Sequence, residues 1–251
     1  MGQTISYVYT SFYNHSLQND YNFIILYILS NPDRLGIDEI NINIKNNNSD
    51  NLLHYFCSKN NSNIIKKLIE LKCNINELNK FNETPLSILC STYKPDLKTI
   101  ELFINNGANI ELSKRSILFD LMNDEEIFKY ILNIVKDKNP IYRKETLFHT
   151  LCRNNKINLI KYLYETTTVC GTKNNDNKYP IEEAIEYNHV ECVKLCNEKE
   201  NYTNDNEFFE KYLIKSFFEN KNDIFNYFLS YNNNRFSEKE LNFLKKLRNY
   251  L

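Results

Sequence analysis

Glycine is scarce in this chain: 251 residues hold four. Alanine occurs twice, at Ala108 and Ala184, and tryptophan not at all. A parallel α/β nucleotide-binding fold needs glycines at its phosphate loop, so the sequence excludes that class. Excess charge of either sign is also missing. The formal net charge is -1, which removes the global electrostatic signature of a nucleic-acid binder. No run of 18 apolar residues occurs, so no membrane span is expected; the longest apolar run, Phe23 to Leu29, reads as a buried helix. Met1 to Ser11 lacks the basic and apolar regions of a secretory signal. In such a chain the seven cysteines read as reduced thiols rather than a disulfide framework. These readings give a cytoplasmic protein, and a monomer is expected.

What is present points the other way from disorder. The chain is 42% hydrophobic and carries 18 Tyr and 16 Phe, enough to build a core. Asparagine occurs 42 times, the mark of A/T-rich codons in a low-GC genome. The N-terminus Met1-Gly2-Gln3-Thr4-Ile5-Ser6 fits the acceptor pattern for N-myristoylation at Gly2. One acyl chain holds a membrane only weakly, and no Lys or Arg precedes Arg34 to supply a second signal.

A period runs through the middle of the chain. The anchors Leu53, Leu86, Leu118, Phe148 and Ile181 are spaced 33, 32, 30 and 33 residues apart, with a weaker copy at Leu213. Four residues after each anchor comes another apolar group: Cys57, Cys90, Met122, Cys152, Ile185 and Phe217. Eleven and twelve residues after comes an apolar pair, as in Ile64-Ile65, Leu159-Ile160, Cys192-Val193 and Ile224-Phe225. The second copy shifts its pair by two, to Thr99-Ile100, because Tyr93-Lys94-Pro95 inserts into the turn. This grammar predicts two short amphipathic helices per unit. The turns between them carry Asn60, Asn155, Asn188 and Asn220, a residue that tolerates the left-handed region.

A period near 33 with Thr84-Pro85-Leu86 opening a helix resembles the ankyrin repeat. Asn106-Gly107-Ala108-Asn109-Ile110-Glu111 is similar to the family's unit ending, and Asn188-His189-Val190-Glu191 to Leu195 is similar to its second-helix opening. Leu53-His54 and Phe148-His149 keep the motif histidine. The resemblance covers roughly residues 40–230. It departs where the family's alanines become Phe56-Cys57 and Leu151-Cys152. It departs again where the hairpin glycine becomes Ser49, Asn82, Lys114, Lys144 or Asn177. The unit at 110–138 is poor, lacking the motif Pro and His.

The resemblance implies an all-α fold: an ankyrin-type solenoid of helix-turn-helix repeats with hairpin loops, about five to seven units including caps. Residues 1–41 are expected to hold N-terminal capping helices and a connection, 42–230 the repeats, and 231–251 a C-terminal capping helix. Val8 to Asn14 and Tyr21 to Leu29 are the candidate N-terminal helix pair. Ser237 to Leu251 opens with a capping box and is the candidate C-terminal helix.

Candidate chemistry yields to this register. His189, Cys192 and Cys196 share a helix face and would offer three metal ligands, but the cysteines fall at core positions and His189 at a turn position. His54 with Cys57 and His149 with Cys152 look like nucleophile pairs, yet register makes both histidines motif residues and both cysteines core. Carboxylates such as Glu182-Glu183 read as helix N-termini. No catalytic residue, cofactor or metal is therefore expected. The expected function is a non-enzymatic adaptor or scaffold. The resemblance implies a protein partner of unknown identity, no nucleic acid, and recognition through hairpin tips and the ends of the first helices. Those positions give Asp50, Lys80, Phe81, Glu83, Arg115, Tyr142, Arg143, Glu145, Asp176, Lys178 and Tyr187 as candidate partner-binding residues. Two alternatives stay open: a regulator tethered weakly to membranes through acylated Gly2, or a host-interacting viral or bacterial effector.

Overall fold

The computed structural model describes residues 21–30, 41–168 and 171–231. Gly2, the segment Val8 to Asn14, most of the connection before residue 41 and the capping helix expected at Ser237 to Leu251 lie outside the described residues. The chain divides into two compact units, Met1–Ile127 and Phe128–Leu251.

In the first unit, α1 (Tyr21–Ser30) is followed by α2 (Leu52–Ser58), α3 (Ser62–Glu70), α4 (Pro85–Cys90) and α5 (Leu97–Asn105). A 3₁₀ turn then spans Ile117–Phe119, and α6 (Glu125–Ile134) runs across the division. In the second unit a two-stranded hairpin, β1 (Ile141–Tyr142) and β2 (Glu145–Thr146), precedes α7 (Leu147–Arg153) and α8 (Ile157–Thr166). Then come α9 (Pro180–Glu186), α10 (Val190–Glu200), a 3₁₀ turn at Tyr202–Asn204, α11 (Asn206–Phe218) and α12 (Asn222–Tyr231). The architecture is helical throughout, with the short hairpin as its only strands among the described residues.

First helices pack on first helices and second on second: α2 on α4, α3 on α5, α7 on α9, α8 on α10, and α10 on α12. The anchors explain why. Leu53, Leu86, Leu118, Phe148, Ile181 and Leu213 are all buried, as are Cys57, Cys90, Cys152 and Ile185 four residues later. Burying each such side chain contributes about 1.5–3 kcal/mol. The pairs Ile64-Ile65, Thr99-Ile100, Leu159-Ile160, Cys192-Val193 and Ile224-Phe225 are buried as well. The weak third unit reduces its first helix to the 3₁₀ turn Ile117–Phe119, although Leu118 keeps its core place. At the N-terminal side, Tyr21 Oη donates to the carbonyl of Asn51 at 3.1 Å, which fixes α1 against the first repeat.

Asparagine supplies the left-handed turns. Asn60, Asn155, Asn188 and Asn220 sit between paired helices at φ 51, 53, 59 and 57°. Lys94 takes that place in the second repeat at φ 55°. Ser49, Asn82, Lys144 and Asn177 replace the hairpin glycine at φ 63, 59, 74 and 61°. Lys114, expected to do the same, is absent from the positive-φ residues, so the irregular third unit builds its loop differently. Six cysteines fall among the described residues; all are buried and none is disulfide-bonded. No described helix is long and apolar enough to cross a membrane.

Candidate functional site

The hairpin tips are rigid because an asparagine at their base closes them. Asn79 Oδ1 accepts from the backbone N–H of Phe81 at 2.9 Å and of Glu83 at 3.0 Å. Asn46 Oδ1 does the same for Asn48 and Asp50, and Asn174 Oδ1 for Asp176 and Lys178. Neighbouring tips are joined by backbone. Lys80 N–H donates to Asn48 O at 2.8 Å and Lys114 N–H to Asn82 O at 3.1 Å. In the second unit Asn175 N–H donates to Lys144 O at 3.0 Å. Arg143 and Lys144, at φ 49 and 74°, make the two-residue turn of the β1–β2 hairpin, where both positions require positive φ.

This frame sorts the sequence-predicted residues. In the first unit Lys80 and Phe81 are exposed, Phe81 at 62%, while Glu83, also exposed, accepts from Asn79 Nδ2 at 3.1 Å. Asp50 is instead half-buried: its oxygens accept from Asn46 Nδ2 at 2.9 Å and Asn79 Nδ2 at 3.0 Å. Arg115 is occupied by Asp120 and lies 5.5 Å from the Phe119 ring. In the second unit Arg143 is exposed, its guanidinium 5.3 Å from the Tyr142 ring. Asp176 pairs with Lys144 at 3.2 Å, and Lys178 is exposed. Tyr187 is 53% exposed, with Arg153 5.8 Å over its ring and His189 stacked beside it. Glu145 is tied to Arg153, which also reaches Glu183 at 2.9 Å. The side-chain set at each tip therefore splits into an exposed group and a group spent on holding the repeat.

The motif histidines do structural work. His54 Nδ1 accepts from Asn51 N–H at 3.1 Å, and its Nε2 lies 3.1 Å from Glu83 O; with Nδ1 accepting, Nε2–H is the donor. His149 repeats this with Thr146 Oγ1 at 2.7 Å and Lys178 O at 2.8 Å. Burial pushes both imidazoles below the ordinary histidine range, which keeps them neutral. Cys57 and Cys90 are pushed well up by burial, so neither is an activated thiol. The trio His189, Cys192 and Cys196 does not converge: His189 Nε2 donates to Arg153 O at 2.9 Å, while both cysteines turn into the core.

Sequence reasoning missed two features. Arg153, at the end of α7, is the hub joining Glu145, Glu183 and Tyr187; its i, i+30 relation to Glu183 was the available signal. A cleft of about 660 Å³ lies in the first unit between the turn Ser91 to Pro95 and the loop Asp120 to Asp124, made by the insertion that the shifted period revealed.

A family model described as ankyrin repeats in three copies matches residues 15–114 and again 118–206. No curated protein sequence matches the chain. Among solved structures, it is similar to a chain in the complex of the Bd0816 predatory endopeptidase from Bdellovibrio bacteriovorus with immunity protein Bd3460. That match has 18% identity and a TM-score of 0.60, and covers 76% of this chain and 98% of the other. It is also similar to the human ASB11 ankyrin repeat domain, at 18% identity and TM-score 0.59, covering 74% of this chain and 82% of that one. Histidine, asparagine and anchor registers, the paired helices and the family match agree: the chain belongs to the ankyrin-repeat family.

Proposed function

We propose that this protein is a non-enzymatic adaptor that binds a protein partner through its exposed hairpin tips and the adjoining ends of its first helices. Ankyrin repeats are generally protein-interaction modules. The observation that carries the reading here is Phe81, a large aromatic held 62% exposed on a closed, hydrogen-bonded tip. An aromatic side chain fixed in water contributes nothing to the repeat and suits a partner's pocket. The second unit offers Tyr142 with Arg143, and Tyr187 with Arg153, the residue types enriched at binding hot spots. A neighbour drawn from an endopeptidase–immunity protein complex supports partner binding as a use of such arrays. In this reading residues 42–230 carry recognition, and the flanking segments 1–41 and 231–251 serve as caps.

Affinity purification with mass spectrometry tests it. Phe81→Ala with Tyr142→Ala is expected to lose the partner while the melting temperature moves by only a few degrees. Retention of every partner by the folded double variant would sink the reading. The Gly2 motif adds a membrane-tether reading, and the mass of the N-terminal peptide from a eukaryotic host decides it.

A further inference from the structure

The repeat register sends three sulfur atoms to one place in the second unit. In the first, fourth, fifth and sixth repeats the residues eleven and fifteen after the anchor lie on the second helix facing the core. They are Ile64 and Leu68 in the first repeat, Leu159 and Leu163 in the fourth, and Ile224 and Phe228 in the sixth, all buried. In the fifth repeat these two positions hold Cys192 and Cys196 on α10. There they meet Cys152 of α7, itself four residues after the anchor Phe148. The three Sγ atoms lie within 4.8 Å of one another, and each cysteine is fully buried. Cys152 Sγ and Cys196 Sγ are 3.8 Å apart.

That separation has a meaning in coordination chemistry. With Zn–S bonds of ~2.3 Å, two thiolates on one tetrahedral ion sit about 3.8 Å apart. The longest edge of the observed triangle needs to close by no more than about 1 Å, within side-chain rotation. Tyr164 Oη is buried beside Cys196 and makes no well-formed hydrogen bond.

We propose that Cys152, Cys192 and Cys196 form a site for a thiophilic d¹⁰ divalent cation, with zinc as its reference ion. Binding replaces three S–H protons by three S–Zn bonds, giving a tris-thiolate of net charge -1, and no sulfur is oxidised. The fourth position is left to Tyr164 Oη or to water. The site is separate from the hairpin tips, so it stands or falls independently of partner binding.

The test uses the full chain, reduced and metal-free, both native and refolded with one equivalent of Cd²⁺ as a spectroscopic probe. The expected result is one ion per chain, a sulfur-to-cadmium charge-transfer band, and displacement by Zn²⁺. Cys152→Ser and Cys196→Ser should each weaken binding by about 10-fold or more. Cys57→Ser and Cys90→Ser should leave it unchanged. X-ray absorption on the zinc-loaded wild-type chain supplies a readout that needs no variant, and three sulfur scatterers at ~2.3 Å are expected. A refolded wild-type chain with native circular dichroism and no band overturns the proposal. So does a zinc shell of nitrogen and oxygen alone.

Discussion

The two compact units share one template and differ in what they bury. In the first unit the buried polar side chains are uncharged: Asn51, Asn79, Thr84, Ser87, Thr99 and His54, with the thiols of Cys57, Cys73 and Cys90. Ser87 and Thr84 close a capping box on α4, and Thr99 Oγ1 donates to Ser62 Oγ at 2.8 Å. In the second unit similar amides and hydroxyls are joined by a carboxylate, Glu183, and three of the thiols, Cys152, Cys192 and Cys196, lie within 4.8 Å of one another. Neutral hydroxyls satisfy themselves against backbone wherever a helix begins. A buried carboxylate needs a cation placed for it, and Arg153 is that cation. One backbone plan therefore accommodates both neutral and charged buried polar groups, and both rely on partners distant in the chain.

Ion-pair removal should separate the units most. Arg153→Ala leaves Glu183, 8% exposed, without its guanidinium and is expected to destabilise by about 2–3 kcal/mol. Arg115→Ala in the first unit removes a pair whose side chains are 38% and 17% exposed, and should cost about 1 kcal/mol or less. Urea denaturation of both variants reads the difference; equal losses would erase the contrast. A smaller effect, the same in both units, is expected at the left-handed turns. Asn60→Ala and Asn155→Ala should each cost about 1 kcal/mol, whereas the glycine variants should match or exceed the native stability. If only one unit responds, the turn chemistry is not shared.

The weakest effect is a pH dependence carried by one histidine in each unit. The folded-state pKa values of His54 and His149 are lowered from 6.5, so the unfolded chain binds more protons as pH falls below about 6.5. Their stability contribution is complete above that value and is lost as pH drops through the folded-state pKa. Thermal melts between pH 7 and 5 should show falling stability, and His54→Gln with His149→Gln should flatten that slope.

The fold was legible in the sequence because period, anchor and turn all spoke at once. Leu53 through Leu213 gave the register, and the asparagines gave the turns where glycine was missing. The third unit was legible only as a weak copy. Its Ser116-Ile117-Leu118 still buries Leu118, but without the motif Pro or His the helix does not extend beyond three residues. The tips were harder to read. Register points to Asp50, Arg115 and Glu145, but their partners Asn79, Asp120 and Arg153 come from loop and helix geometry. The cysteine trio was hidden for a related reason. Cys192 and Cys196 were visible as a pair on one helix, and the third sulfur lay 40 residues upstream in another repeat, where spacing within a helix says nothing.

The bonds between successive hairpin tips have a consequence for inheritance. Lys80 N–H to Asn48 O and Asn175 N–H to Lys144 O are made by main-chain atoms alone, so no side-chain change short of proline removes the donor. Gaining or losing a whole segment of one period leaves every donor facing an acceptor. Single-residue changes inside a repeat are also absorbed, since bonded tip positions lie 32 residues apart in the first unit and 31 in the second. Arrays of this kind can lengthen by copying whole repeats while their surfaces drift, which lets recognition diversify on a ladder that stays fixed.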